Sequence, residues 1–513
     1  MYDLTDSYFK LQNGSDIRGI ALEGVEGEKV NLTPEVARNI ASAFITYLAN
    51  KENKPAEMLE IAVGHDSRLS ANQLKTGVLE GIQNMGSTPY DCSLASTPSM
   101  FMCTVLEGLE FDGGIMITAS HLPFNRNGMK FFTKDGGLES KEIKQVLEIA
   151  IEIAKDNPKK AESIKEIKKL DLISHYSDYL KEIIKKEVAS ENYDKPLEGL
   201  HIVVDASNGA GGFFVEKVLK DLGADTSGST CLEPDGTFPN HEPNPENRQA
   251  MEYVKEITIN NNADLGIIFD TDVDRMGAVF SNGKEINKNA IVALMSAIVA
   301  SRHPNTTIVT DSVTSEQLTD FLENKLKLKH HRFKRGYKNV INEAIRLNKE
   351  GIETHLAIET SGHGALKENY FLDDGAYLAV KIICELVKCK RQGKALEDLL
   401  EGLEDPEESK EYRIPIKVEN YSEYGLKVLD EFEKFASKND KFNLVKNNYE
   451  GVRITFDDEE VSGWMLLRMS LHDPILPMNI ETNNKGGVEI ILKRLSPFFD
   501  KFNELDCSVL YKG

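Results

Sequence analysis

Basic side chains are scarce in this chain. Its 513 residues carry 61 Lys and Arg against 83 Asp and Glu, a formal charge of −22. That deficit argues against a nucleic-acid partner, because phosphate backbones require clustered Lys and Arg. It leaves a small phosphate ligand open, since a local basic pocket can sit in an acidic protein. Cysteine is sparse too. Cys92, Cys103, Cys231, Cys384, Cys389 and Cys507 are scattered, with no Cys-x-x-Cys and no Cys/His cluster along the sequence. Reduced thiols of a cytosolic protein are the expectation. Long apolar runs are missing: the longest, Ala290 to Ala300, is too short to span a bilayer and reads as a buried helix. The start, Met1-Tyr2-Asp3-Leu4, lacks the basic and apolar regions of a signal peptide. A cytoplasmic protein with no membrane partner is expected.

What remains is a chain of ordinary globular composition, 40% hydrophobic and 28% charged, too long for one core. Three or four domains are expected. Short β-branched runs alternate with longer helical patterns, the mark of α/β units with mostly buried strands. Candidate strands are Ile61–Gly64, Gly114–Ile117, His201–Val204, Leu265–Phe269 and Thr307–Thr310, with long charged helices around 139–155 and 171–188. Polar stretches at Glu191–Pro196, Ser301–Asn305 and Glu404–Ser409 separate a helix from a fresh strand pattern. They predict four domains: 1–195, 196–304, 305–408 and 409–513. No tandem short repeat occurs, although the first three segments read as divergent copies of one α/β unit. The last differs, with strands over 411–419, 451–456 and 463–470 and a helix near 423–437, and reads as α+β.

Chemistry concentrates at strand ends. Residues 115–130 run from the apolar Ile115-Met116-Ile117 into Thr118-Ala119-Ser120-His121, then through an Asn-Gly turn to Lys130. A hydroxyl just past a strand, in a small-residue turn, is exposed for chemistry. After Leu265–Phe269 comes Asp270-Thr271-Asp272-Val273-Asp274-Arg275. Three short anionic arms at alternate positions can converge on one hard cation and suit Mg²⁺. An EF-hand loop fails, because Arg275 stands where Gly is required and Ser281 where Glu is required. A solvated acidic turn is the bland alternative. Residues 358–363, Ile-Glu-Thr-Ser-Gly-His, place Glu359 and Ser361 where they can meet sugar hydroxyls, followed by Asp373-Asp374-Gly375. The glycine-rich turn Val204–Gly212 is no dinucleotide fingerprint, since Phe214 stands where a third glycine is needed. Ser120-His121 as a hydrolase pair is disfavoured. Adjacent turn residues seldom point at each other, and no Gly-x-Ser-x-Gly elbow exists.

Taken in order, these segments resemble the α-D-phosphohexomutases, most closely the phosphoglucomutase/phosphomannomutase type. Ser15-Asp16-Ile17-Arg18-Gly19 is similar to that family's Tyr-Asp-Ile-Arg-Gly. Thr118–His121 resembles its Thr-Ala-Ser-His loop, and the Asp triplet its Asp-Gly-Asp-Gly-Asp-Arg metal loop. Arg335-Gly336-Tyr337-Lys338 resembles its sugar-specificity loop, and Glu359–His363 its Glu-x-Ser-Gly-His. Val63–Arg68, Ser96-Thr97-Pro98 and Pro234–Glu246 match further elements expected to be structural. The resemblance implies three related α/β/α domains with mixed sheets plus a C-terminal α+β domain, around a central cleft. It implies a phosphoserine at Ser120 and Mg²⁺ held by Ser120, Asp270, Asp272 and Asp274. Arg18, His121 and Lys130 are implied to move protons or stabilise charge. Arg275, Tyr337, Glu359, Ser361, His363, Arg468, Ser470 and His472 are implied to bind substrate.

The implied reaction interconverts hexose 1-phosphate and hexose 6-phosphate, of glucose or mannose, through a hexose 1,6-bisphosphate, in a monomer or homodimer. Several positions depart from the pattern. Thr271 and Val273 replace loop glycines, whose loss bears on the loop's shape. Leu122 and Arg126 alter the serine loop, and Tyr337 stands where His is common. The fourth-domain phosphate loop reads Arg468-Met469-Ser470-Leu471-His472-Asp473-Pro474, with His472 in place of Thr and Pro477 where an Arg is usual. A phosphoglucosamine mutase or a catalytically silent phosphosugar-binding protein stands as the alternative.

Overall fold

The structure, a computed structural model, describes residues 4–156, 164–470 and 473–511. They form two compact units. One comprises the chain up to Asn287 together with Ser361–Asp398, the other Lys288–Thr360 together with the chain from Leu399.

The first unit opens with a mixed sheet. Gly113–Ile117 lies parallel to Glu60–His65, which lies parallel to Thr88–Leu94. On its other side it pairs antiparallel with Arg126–Thr133, which pairs antiparallel with Asp16–Ile20. The helix Pro34–Glu52 starts where Thr33 accepts the amide of Val36 and stops at Asn53, which turns left-handed at φ 49°. Ser140–Asp156 buries Ile143, Val146, Leu147, Ala150 and Ile151, the spacing of one helical stripe. These residues join Phe44, Leu48, Val78, Ile115 and Ile117 in one core. All five residues of Gly113–Ile117 are buried, so the strand delivers Ser120 from a fixed base.

A second sheet follows in the same unit. Ile202–Asp205 runs parallel to Leu265–Phe269, which turns back antiparallel as Met276–Phe280. Its parallel strands end at the Asp triplet and at the glycine-rich turn. A Cβ on Gly209 would lie 2.5 Å from the carbonyl oxygen of Thr271, and Ala210 donates its amide to that same oxygen (2.8 Å). The glycine-rich turn thus backs the Asp loop. Ser361–Asp398 adds the hairpin Gly364–Leu366/Leu372–Asp373 and the helix Gly375–Arg391.

In the second unit Thr307–Thr310 lies between Lys329–Arg332 and Thr354–Ile358, parallel to both. The helix Lys288–Ala300 is buried from Ile291 to Val299, as its apolar run predicts. Four longer strands, Glu408–Pro415, Ile475–Thr482, Ser462–Leu467 and Val452–Asp457, form an antiparallel sheet in that order. The helices Tyr421–Ala436 and Gly487–Phe499 share its core. The architecture is three α/β/α domains with mixed sheets plus a C-terminal α+β domain. Two expected strands are shorter than their patterns, ending at Pro415 and Leu467. The strand Ile475–Thr482 carries no strong mark in the sequence, whereas the last helix, Gly487–Phe499, has a clear apolar stripe (Val488, Ile491, Leu495, Phe498) that the sequence reading left out. Among the described residues no helix is long and apolar enough to cross a membrane.

Gly128 sits where three pieces of the first unit converge. A Cβ there would lie 2.1 Å from the carbonyl oxygen of Ile17 and 2.8 Å from that of Thr118, and would crowd the Arg18 side chain. Gly128→Ala is expected to destabilise the protein by about 1–3 kcal/mol, the usual cost of overpacking. Denaturant titration checks this. A midpoint equal to wild type would show that strand and loop have room to separate.

Candidate active site

Ser120 follows the strand Gly113–Ile117 in a left-handed conformation, φ 50°, and is buried rather than exposed as its turn suggested. Residues with a Cβ seldom sit there without outside support. Thr118 supplies part of it, accepting the Ser120 amide (2.9 Å). Arg68 supplies the rest. Its guanidinium donates to the carbonyls of Ser120, Leu122, Pro123 (2.9 Å) and Arg126 (3.0 Å), and it is itself buried against Asp66. Arg68 belongs to a segment expected to be structural, and it clamps the whole serine loop. Thr97, from another such segment, bonds the Asp272 carboxylate and donates its amide to the Asp272 carbonyl (2.8 Å).

The Asp loop packs against the serine. Ser120 Oγ donates to Asp270 Oδ2 (3.0 Å), and Arg275 Nη2 donates to Ser120 Oγ (3.1 Å). Arg275 also reaches Asp270 Oδ2 through Nε (3.2 Å) and Asn244 through Nη1 (3.2 Å). It thereby holds the Ser120 hydroxyl and the first carboxylate in register. The glycine-to-valine change at 273 is absorbed as strain: Val273 is left-handed at φ 68° and fully buried, unusual for a β-branched residue. The amide of Gly375 pins its carbonyl (3.1 Å). Thr271 needs no such conformation, so only one of the two replaced glycines strains the loop.

Asp270, Asp272 and Asp274 are essentially inaccessible to solvent, and each brings an oxygen within 4.8 Å of the others. Among the described residues neither Asp272 Oδ1 nor Asp274 Oδ1 has a hydrogen-bond donor. Burial, with the charges of Asp274 and Asp272, pushes Asp270 well above the usual carboxylate range. Asp274 goes the other way. Burial would raise it, but Lys130, His363 and Arg275 hold it well below that range. Three converging carboxylates, two with orphaned oxygens and one driven toward protonation, fit a hard divalent cation.

The other catalytic candidates of the first unit are joined to these residues. Lys130 is buried and donates to Asp274 Oδ2 (2.8 Å), with Asp16 Oδ2 at 3.9 Å. Arg18 pairs with the same Asp16 oxygen (2.8 Å) and donates to the Thr118 carbonyl. Asp16, read only as part of a motif, therefore links both cations. His121 Nδ1 lies 2.7 Å from Arg275 Nη2, which can only donate, so this nitrogen accepts and the proton sits on Nε2. Burial, then Arg275, His363 and Arg18, lower His121 to about 2, so it is neutral here. His363 is its opposite. Burial lowers it, but Asp373 and Asp274 outweigh that and raise it to about 9, so it carries charge at neutral pH. Ser361 is buried two residues before it.

The second unit carries the remaining candidates. Gly336, left-handed at φ 112°, precedes the helix Tyr337–Lys349 and donates its amide to Glu359 Oε1 (2.6 Å). This bond joins the two proposed sugar loops and places Tyr337 at a helix start. Arg335 donates its amide to Glu450 Oε2 (3.1 Å), which also bonds Ser312. Arg468 is largely buried and donates weakly to the Met469 carbonyl (3.4 Å), while its Nε has no hydrogen-bond acceptor among the described residues. Burial lowers Arg468, with Glu450 partly offsetting that. Ser470 Oγ accepts the amide of Asp473 (3.1 Å). His472 lies outside the described residues.

Comparison with known proteins identifies the family. Family models described as phosphoglucomutase/phosphomannomutase α/β/α domains I, II and III match residues 10–159, 175–283 and 287–406. A phosphoglucomutase/phosphomannomutase of Thermococcus kodakarensis is 30% identical over 480 residues, covering 93% of this chain and 95% of its own. A phosphoglucomutase of Neisseria gonorrhoeae is 27% identical over 495 residues, covering 96% and 97%. The fold matches a crystal structure of a family protein from Burkholderia thailandensis at a TM-score of 0.76 and 23% identity, covering 98% of each chain. The fold and comparisons define an intramolecular phosphotransferase. The chain belongs to the phosphoglucomutase/phosphomannomutase family of α-D-phosphohexomutases.

The carboxylate geometry has a direct consequence. A divalent cation that binds the folded chain alone stabilises it by mass action, by about 2.7 kcal/mol at a hundredfold excess over the dissociation constant. Mg²⁺ or Mn²⁺ is expected to raise the thermal midpoint of metal-stripped protein, and Asp272→Asn to shrink that rise. An equal rise in both proteins would place the cation elsewhere.

Proposed function

We propose that the enzyme interconverts hexose 1-phosphate and hexose 6-phosphate, of glucose or mannose, through a phosphoserine at Ser120 and a hexose 1,6-bisphosphate. The observation that carries this reading is the left-handed Ser120, held by Arg68 with its Oγ between Asp270 and Arg275. The bond from phosphorus to Ser120 Oγ breaks as one forms to a sugar hydroxyl oxygen, and the hydroxyl's proton ends on Ser120 Oγ. The bisphosphate then turns over and returns its other phosphoryl group to the serine. Arg275 and Arg18 supply fixed positive charge beside the serine loop. Lys130, paired with Asp274, is assigned as a positive charge in this site. His363, charged at neutral pH, adds a donor.

Ser120, Asp270, Asp272 and Asp274 would hold Mg²⁺, which when bound offsets negative charge on the transferring group, where such reactions gain most. Glu359, Ser361 and Tyr337 are assigned to the sugar hydroxyls, and Arg468 and Ser470 to the phosphate that does not react. A cytoplasmic setting agrees with the scattered free cysteines. The altered loop Arg468–Pro474 favours one second reading, a phosphosugar-binding protein that does not turn its ligand over.

Ser120→Ala separates the two. Mutase turnover in a coupled assay with glucose 1-phosphate and mannose 1-phosphate is expected to fall by several decades, with the circular dichroism spectrum unchanged. Conversion near the wild-type rate would overturn the phosphoserine assignment, and absent turnover in wild type would favour the binding protein.

Arg468 makes a separate prediction. Losing one charge-assisted contact to phosphate costs about 1.5–3 kcal/mol, or about 10–100-fold in affinity. Arg468→Ala is expected to raise KM for the preferred hexose phosphate by that factor. An unchanged KM would mean that this loop does not recognise the phosphate.

A further inference from the structure

The first unit brings together a second set of side chains able to bind a metal. Asp205 ends the strand Ile202–Asp205, Cys231 lies on the following connection, and His241 lies in the Pro-rich segment beyond it. Far apart in sequence, they place a carboxylate oxygen, a thiol sulfur and a ring nitrogen within 4.8 Å of one another. We propose that Asp205, Cys231 and His241 form a site for Zn²⁺ or a similar thiophilic divalent cation, separate from the Asp triplet.

The surroundings of each side chain support this. His241 donates Nδ1–H to the Glu242 carbonyl (2.9 Å), which turns Nε2 toward Asp205 Oδ2 (2.7 Å). Metal-ligating histidines are commonly fixed through their second nitrogen in this way. Asp205 Oδ1 accepts the Ser207 amide (2.8 Å), leaving Oδ2 for the cluster. Asn240 donates to Cys231 Sγ (3.3 Å), and Cys231 is held left-handed at φ 52°. Each ligand is oriented by a partner that is not itself a ligand.

Sulfur, nitrogen and oxygen donors together suit Zn²⁺, which takes them at about 2.0–2.3 Å in tetrahedral geometry. Hard cations such as Mg²⁺ avoid thiolate, so the two sites select different metals. Asp205 and His241 are buried, whereas Cys231 is partly exposed, leaving a way in and a fourth position for water. Without a metal the cluster is an imidazolium–carboxylate pair beside a thiol. The cation would replace the imidazolium's shared proton and that of the thiol.

The test uses the full chain with excess Mg²⁺ to occupy the Asp triplet. Titration with Co²⁺ is expected to give tetrahedral visible bands and a thiolate-to-cobalt charge-transfer band, both displaced by Zn²⁺. Cys231→Ser should lose the charge-transfer band, and Asp272→Asn should keep it. A measurement on unaltered protein runs beside it: saturating Zn²⁺ should slow alkylation of Cys231, mapped by peptide mass, by about tenfold or more, because the metal-bound thiolate is shielded. No cobalt spectrum, a charge-transfer band that survives in Cys231→Ser, or undiminished alkylation of Cys231 would each overturn the proposal.

Discussion

Holding Asp270, Asp272 and Asp274 together out of water costs several kcal/mol per charge unless positive charge comes with them. Much of the first unit is arranged around that demand. Lys130 answers Asp274, Arg275 answers Asp270, and Thr97 reaches Asp272 from the first domain. Among the described residues two of the triplet's carboxylate oxygens remain without donors. The same Arg275 touches Ser120 Oγ, which ties the position of that hydroxyl to the balance of charge beside it. Ser120 and the Asp loop therefore form one electrostatic unit, although 150 residues separate Ser120 from Asp270.

Strain accompanies that arrangement. Ser120 and Val273 both take left-handed conformations that a side chain with a Cβ resists. Each is held by contacts from elsewhere, Ser120 by Arg68 and Thr118, Val273 by the amide of Gly375. Such strain persists only where the surroundings over-determine the backbone. Arg68 is the clearest case, one guanidinium gathering four carbonyls of a single loop.

Much of this was legible in the sequence. The strands Leu265–Phe269 and Thr307–Thr310 are short, β-branched or wholly apolar and bounded by polar turns, so pattern alone locates them. The Asp triplet announces itself, because alternating carboxylates directly after an apolar strand are rare. The supporting residues were legible only as members of segments expected to be structural, not by the contacts they make. Asp16, Arg68 and Thr97 act through contacts set by tertiary packing, and nothing in their local sequence distinguishes a clamp from a surface pair. The Asp205–Cys231–His241 cluster was hidden for the same reason, since its members are spread over 37 positions of the chain. At Ile475–Thr482, Pro477 and Asn479 broke the strand pattern, and antiparallel partners on both sides overrode it.

The central claim is that Ser120 Oγ carries the phosphoryl group between the two positions of the sugar. Incubating the purified enzyme with a hexose 1,6-bisphosphate and Mg²⁺, then quenching and mapping phosphopeptides by mass, tests it most directly. The account predicts one added phosphoryl group per chain, located on Ser120 and discharged on addition of hexose monophosphate. Turnover with the phosphoryl group on another residue, or with no phosphoenzyme at any time, would contradict it.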